Sequence, residues 1–254
     1  MILLRVFTAS ALLQLRTQRS ALLFLTSVVQ PAAFLALTLM ATRGSPRDPA
    51  ALALGMALVG LWGTTIWQTG NVLRIERWEG TLVQVLARPV SLVLVLGAKA
   101  AASTVRSSCL LVPTVVGAAW LAHESIPARH PVALVAAAVA VLVSASVFGM
   151  LVACLFVLTR AAGRIAEAAT YPIFILGGLV VPLSLLPSWV RPLATIVSLH
   201  WGAELLHAAS VGEAQPGAAW LLLAVTTAAY ALVAGVLFGR IVDRGRREGT
   251  LELF

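Results

Sequence analysis

PVALVAAAVAVLVSASVFGMLVACLFVLT, residues Pro131 to Thr159, runs from end to end without a charged side chain. A helix rises about 1.5 Å per residue, so roughly 20 apolar residues cross the ~30 Å hydrocarbon core of a bilayer. This run is long enough. Working outward between charged or histidine residues, five more such stretches appear: Ser20–Thr42, Pro49–Leu73, Ala100–Ala122, Ala168–Val190 and Ala214–Gly239. Only Ala100–Ala122 holds an interior charge, Arg106, and only Ala168–Val190 carries Pro182 and Pro187. The whole chain of 254 residues is 60% hydrophobic and 11% charged, where soluble domains carry about 25% charge. A soluble fold of this length cannot hide so much apolar surface. The sequence predicts one all-α integral membrane domain over residues 1–254, with six transmembrane helices.

Six spans put both termini on one side. With the N-terminus inside, thirteen arginines and lysines fall in cytoplasmic segments, among them Arg5, Arg16, Arg19, Lys99, Arg160, Arg164 and Arg240. Arg43, Arg47, Arg129 and Arg191 fall outside. The excess of basic residues in short inner loops predicts N-in, C-in. The net charge of +8 is spread over these loops, which fits membrane orientation and not nucleic-acid binding. Arg5, Thr8, Arg16 and Arg19 share a helical face, so residues 1–19 read as an interfacial helix or as a charged lead-in to the first span. The N-terminal run is too long in its charged part, and followed by too many spans, for a cleaved signal peptide. Cys109 and Cys154 lie in apolar runs and read as small hydrophobes.

The charges gather in RIERWEGTLVQVLARP, Arg74 to Pro89. Arg74, Arg77, Thr81, Gln84 and Arg88 form one polar helical stripe, and Ile75, Trp78, Leu82 and Leu86 lie on another face. Gly80 weakens a helix interior and Pro89 ends it. A short amphipathic helix on the cytoplasmic surface is expected, serving either as a docking surface or as a solvated connector.

A different irregularity follows in the fifth span. Pro182, Pro187 and Pro192 remove three backbone donors. The membrane helix should end near Pro182, and a broken external segment should follow, with its next helix, around Leu193–Ala208, partly re-entering the bilayer.

Chemistry-bearing groups are sparse. GAKAAAST at Gly97 to Thr104 lacks the spacing of a phosphate-binding loop, so the chain has no such ATP site of its own. Arg106 lies one or two turns from the cytoplasmic edge of its span; an ion pair, a snorkelling side chain or a substrate contact are the alternatives. His200, Glu204 and His207 recur at i, i+4, i+7, a spacing compatible with metal ligands, although no H-E-x-x-H motif is present. EGTL occurs at Glu79–Leu82 and again at Glu248–Leu251, too short to be a repeat. Arg244, Arg246, Arg247 and Glu248 mark a tail suited to an anionic-lipid or ATPase contact, or to a solvated topogenic end.

ERWEGTLVQVLARPVSLVLVLGAK resembles the loop after the second span in ABC-2 type permeases, the membrane subunits of ATP-driven exporters. The matching positions are Glu76-Arg77, Gly80-Thr81-Leu82, Leu86, Pro89-Val90, Gly97 and Lys99. GGLVVPLSLLPSWVRPLATIVSLHWGAELLHAAS resembles the fifth-span and external region of the daunorubicin-resistance-like branch, through Gly178, Pro182, Leu183, Leu186-Pro187, Trp189 and Pro192. Ser198-Leu199-His200 stands where that branch usually has Pro-Leu-Thr.

The resemblance implies an exporter subunit in a bacterial cell membrane, not itself an enzyme. It would pair with a second permease subunit, identical or not, and with ABC ATPase subunits that bind ATP and Mg. Arg74, Glu76, Arg77, Glu79, Gly80, Thr81 and Arg88 would form the ATPase-coupling helix. Arg106, Tyr171, His200 and Glu204 would be polar points on the translocation path of an amphipathic small molecule or lipid. Two alternatives compete. An ion-coupled secondary transporter would show acids deep in its spans, whereas Glu167 stands at a boundary. A membrane metalloenzyme would use His200, Glu204 and His207.

Overall fold

The computed structural model describes residues 2–17, 28–29, 32–33, 36, 49–72, 92–121, 128–159, 162–179 and 187–248. Every regular element named within them is helical. They are α1 (Ile2–Thr17), α2 (Pro49–Thr64) continuing through a π-helical turn (Thr65–Thr69), α3 (Leu92–Leu121), α4 (Pro131–Leu158), α5 (Ala162–Leu176), α6 (Arg191–Ala194), α7 (Ser198–Val211) and α8 (Gly217–Glu248). Three stretches, Leu94–Gly117, Pro131–Leu158 and Gly217–Ile241, are long and apolar enough to cross a membrane. Helices suit that setting because each satisfies its own backbone polar groups, which lipid cannot do. The protein is a helical membrane protein.

The opening stretch is the hub. α4 packs against α8, α7, α3, α5 and the π-helical turn, while α1 lies along α3. Pro131 occupies the first turn of α4, where its missing N–H costs nothing. Ala137, Val141, Ser144, Ala145, Gly149, Val152 and Phe156 recur at three- and four-residue steps and are all buried. Around this stripe Leu58, Leu61, Trp62, Ile66, Leu199, Leu205 and Leu223 close the main core. A second cluster of Val72, Leu96, Ala153, Cys154, Phe238 and Ile241 ties α2, α3, α4 and α8 together toward the Leu158 end of α4.

Two expected boundaries are corrected. The third span does not begin after Lys99: α3 starts at Leu92 and carries Lys99 inside it, buried as Val95, Leu96, Ala98 and Ala100 are. A lysine has a long apolar stem, and a charge in a membrane helix is tolerated when it faces the bundle and not lipid. Arg106 accordingly sits in the middle of Leu94–Gly117, about 18 Å along it at 1.5 Å per residue, and not near its edge. GAKAAAST is therefore helix throughout, with no loop that could cradle a phosphate.

The fifth helix stops at Leu176, six residues before Pro182. Glycine ends it, not proline. Gly178 takes a left-handed conformation (φ +72°), which a side chain would disfavour. The turn is closed by Gly177 N–H to the Ile173 carbonyl at 2.8 Å and Gly178 N–H to that of Ile175 at 3.1 Å. The chain here is broken as expected, but the following helix is Ser198–Val211, preceded by the single turn Arg191–Ala194.

α7 runs antiparallel to α4. At one end, Arg129 N–H donates to the Ser210 carbonyl and His130 N–H to that of Ala209, both at 3.2 Å. Further along, Gly202 lies against Val141, where an added Cβ would fall 2.6 Å from Cγ2. That contact is ten residues, about 15 Å, from Pro131.

Candidate functional site

Two polar seams flank α4. The first lies toward α2 and α3. Thr64 and Thr65 both donate their hydroxyls to the Leu61 carbonyl at 2.8 Å. Such back-bonds bend a helix, and the π-helical turn begins at once, closed by Gly70 N–H to the Thr65 carbonyl at 3.1 Å. A π turn widens the helix locally and is common at functional positions. Here it sets Gln68 against the small polar residues of α3 and Thr65 and Thr69 against α4. The Ser107 hydroxyl reaches Gln68 Oε1 at 3.1 Å and also the Ser103 carbonyl at 3.0 Å, and Thr104 donates to the Ala100 carbonyl. α4 meets this turn through Gly149, where a Cβ would lie 2.6 Å from Thr69 Cγ2 and 2.9 Å from Thr65 Cγ2. Membrane helices associate through such small residues, which let backbones approach.

Lys99, Ser103, Arg106 and Ser107 follow i, i+4, i+7, i+8 along α3 and share a face. Lys99, Ser103 and Ser107 are buried and Arg106 is half-buried. A cationic, hydroxyl-bearing strip thus runs through an apolar span.

The second seam lies toward α7 and α8. Trp62 stacks on Phe148 with ring centroids 4.2 Å apart, and Phe148 meets Tyr230 edge-on at 5.4 Å. The Tyr230 hydroxyl donates to the Ile196 carbonyl at 2.7 Å and accepts from Ser198 N–H at 3.3 Å.

The expected site residues distribute as follows. The stretch Arg74, Glu76, Arg77, Glu79, Gly80, Thr81 and Arg88 lies outside the described residues, just beyond the π-helical turn. Tyr171 is in α5 beside Pro172. His200, Glu204 and His207 lie on α7, with Glu204 exposed and both histidines half-buried. Burial lowers the pKa of His200 below the usual histidine value, while nearby Glu204 opposes that shift. The three do not converge, since no group of three His, Cys, Asp or Glu side chains among the described residues could hold a metal ion. Arg106 and His200 sit on helices, α3 and α7, that are not principal packing partners.

Thr65, Gln68, Thr69 and Tyr230 were not singled out in the sequence, and a signal existed for the first three. Thr64-Thr65, Gln68 and Thr69 are polar points one turn apart in an apolar span, matched by Ser103 and Ser107 at the same spacing.

No curated protein matches this chain. The family model for the ABC-2 type transporter matches residues 4–210, which contain α1 through almost all of α7 and therefore both seams except Tyr230. This chain belongs to the ABC-2 type transporter family, as a membrane-embedded permease subunit of ABC-type systems.

Proposed function

We propose that the chain is the translocating subunit of an ATP-driven exporter, six spans with both termini inside. It works as half of a dimer and moves an amphipathic small molecule or lipid outward across the bacterial cell membrane. A separate ATPase docks on Arg74–Arg88. One observation carries this reading: the family match covers a chain whose second helix passes through a π turn, gripped by α3 and α4, directly before that charged stretch. A push on the stretch would be transmitted through Gln68, Thr69 and Gly149 into the bundle. ATP-driven closure can switch the bundle only by favouring one arrangement energetically. The cationic strip on α3 offers polar anchors within an otherwise apolar path.

Inside-out membrane vesicles holding the chain with its ATPase test this. They should accumulate an amphipathic dye with ATP, and should still do so when a proton uncoupler collapses the ion gradient. Uptake abolished by the uncoupler with ATP intact would favour ion-coupled transport. Cysteines at Ser45 and Ser125 should react with an impermeant reagent from outside, and those at Ser91 or Gly249 only after the membrane is opened.

A further inference from the structure

α7 has 14 residues, about 21 Å of helix, too short to cross a bilayer. Its two ends are held differently. At the end near Gly212, two main-chain hydrogen bonds join it to Arg129 and His130, and Gln215 Nε2 donates to the Leu205 carbonyl at 3.2 Å. At the Ser198 end, the polar tie to α8 is one hydroxyl. Val197, the residue that caps the helix, has no side-chain bond to offer, so the exposed N–H groups of the first turn need a partner from elsewhere. Tyr230 supplies it: its oxygen accepts from Ser198 N–H while its own proton goes to the Ile196 carbonyl. Tyr230 stands thirteen residues into α8, about 20 Å along it.

Around this point polar atoms are buried without partners. They are Ser198 Oγ, Ser144 Oγ and Trp62 Nε1, on residues each no more than 2% exposed. The antiparallel register that sets Gly202 on Val141 brings Ser198, one turn earlier, opposite Ser144 and Ala145, one turn later. Trp62 joins them through Phe148. Unmade hydrogen bonds of this kind are costly, and any opening that admits water offsets that cost. The segment before α7 is meanwhile stitched to itself, by Trp201 Nε1 to the Thr195 carbonyl and Thr195 Oγ1 to that of Pro192, so it can move as a piece.

We propose that Tyr230 is the latch of an outer gate: its hydroxyl holds the Ser198 end of α7 against α4 and α8, and release lets the helix swing about its Gly212 end, opening Ser198, Ser144 and Trp62 to external water. This rests on the exporter reading for its direction, outward. Tyr230 acts as a positioning residue and touches no reacting group.

The test uses the full chain in cells, with Cys109→Ala and Cys154→Ala, a reporter Ser144→Cys, and an impermeant thiol reagent outside. Tyr230→Phe keeps the ring on Phe148 and deletes both bonds. Ser198→Pro deletes the N–H donor and, with it, the unpaired Ser198 hydroxyl, leaving the bond to the Ile196 carbonyl, at a first-turn position that proline suits, after a residue already extended. Labelling of the reporter should rise roughly tenfold in Tyr230→Phe, the effect of two hydrogen bonds of typical membrane strength. It should rise a few-fold in Ser198→Pro, and no further when the two are combined. A second reporter, Ala218→Cys on the exposed start of α8, should react equally in all. Unchanged reporter labelling in both variants overturns the latch, as does a matching rise at Ala218→Cys, which reports general loosening. Labelling that follows Tyr230 but needs an opened membrane keeps the latch and overturns the orientation.

Discussion

The two sides of α4 differ most at the Ser198 end of α7. Toward α2 and α3 the contact is backbone against side chain: Gly149 leaves no room for a methyl group over Thr65 and Thr69, and Gly70 none over Val152. Toward α7, Gly202 packs as tightly on Val141 and main-chain bonds fix the Gly212 end, but at the Ser198 end the polar tie to α8 is the Tyr230 hydroxyl, beside the unpaired Ser144 and Ser198 hydroxyls. Close packing has no partly open form, because a small radial gap forfeits much of the contact energy. A hydroxyl bridge can break and be replaced by water. The difference lies at one end: α2, α3 and α4 are closely packed at the π-helical turn, whereas the Ser198 end of α7 is tied to α8 by one hydroxyl.

Substitutions at the closely packed positions should therefore destabilise the chain, and by more than loss of a single polar contact. The largest effect is expected at Trp62, which is buried and stacked on Phe148. Trp62→Ala should cost about 3 kcal/mol, read as a lowered melting temperature of the purified protein in detergent. A melting temperature within a degree of the parent would show that α2 is not clamped.

Gly149→Val comes next. It forces two methyl groups onto Thr65 and Thr69 and should cost about 2 kcal/mol by overpacking, with ATP-driven transport lost in the surviving protein. Adding Thr69→Ala to make room should restore part of both. Absence of any rescue would mean that Gly149 matters for some reason other than this contact.

The smallest effect is Ser107→Ala, which removes one bond to Gln68 and should cost about 0.6 kcal/mol, the average for a polar contact in a membrane bundle. Transport and ATP hydrolysis should fall out of step here if the π turn carries the coupling, because a looser grip wastes strokes. Equal loss of both would place Ser107 in stability alone.

Much of this fold is legible in the sequence. Charge-free runs identify α4 and α8 because nothing in lipid tolerates an unpaired charge, and α4 follows its expected range to within a residue. Lys99 misleads because a charge marks a boundary only when it faces water, and whether it does depends on neighbours far away in the chain. The fifth helix misleads for a related reason. Three prolines draw the eye, yet Gly178, free to turn left-handed, ends the helix first. Of the candidate path, Arg106 and His200 stand out as rare polar residues, but their separation on α3 and α7 is a matter of packing. Tyr230 carries no local signal at all. Its role arises from a helix tip brought to it from 32 residues earlier in the chain.

The central claim is that force from a separate ATPase enters at Arg74–Arg88 and reaches the bundle through the π turn. Its most direct measurement is purification of the chain from membranes after matched expression, followed by ATP hydrolysis and dye transport by the recovered complex, for the native chain and for Glu76→Arg, Arg77→Glu and Glu79→Arg singly. The native chain should bring down a P-loop subunit, hydrolyse ATP and transport. At least one reversal should lose the subunit or uncouple hydrolysis from transport while inserting normally, since charge reversal at a close contact costs several kcal/mol. Native capture, hydrolysis and transport in all three reversals would contradict the claim and leave the stretch a topogenic connector.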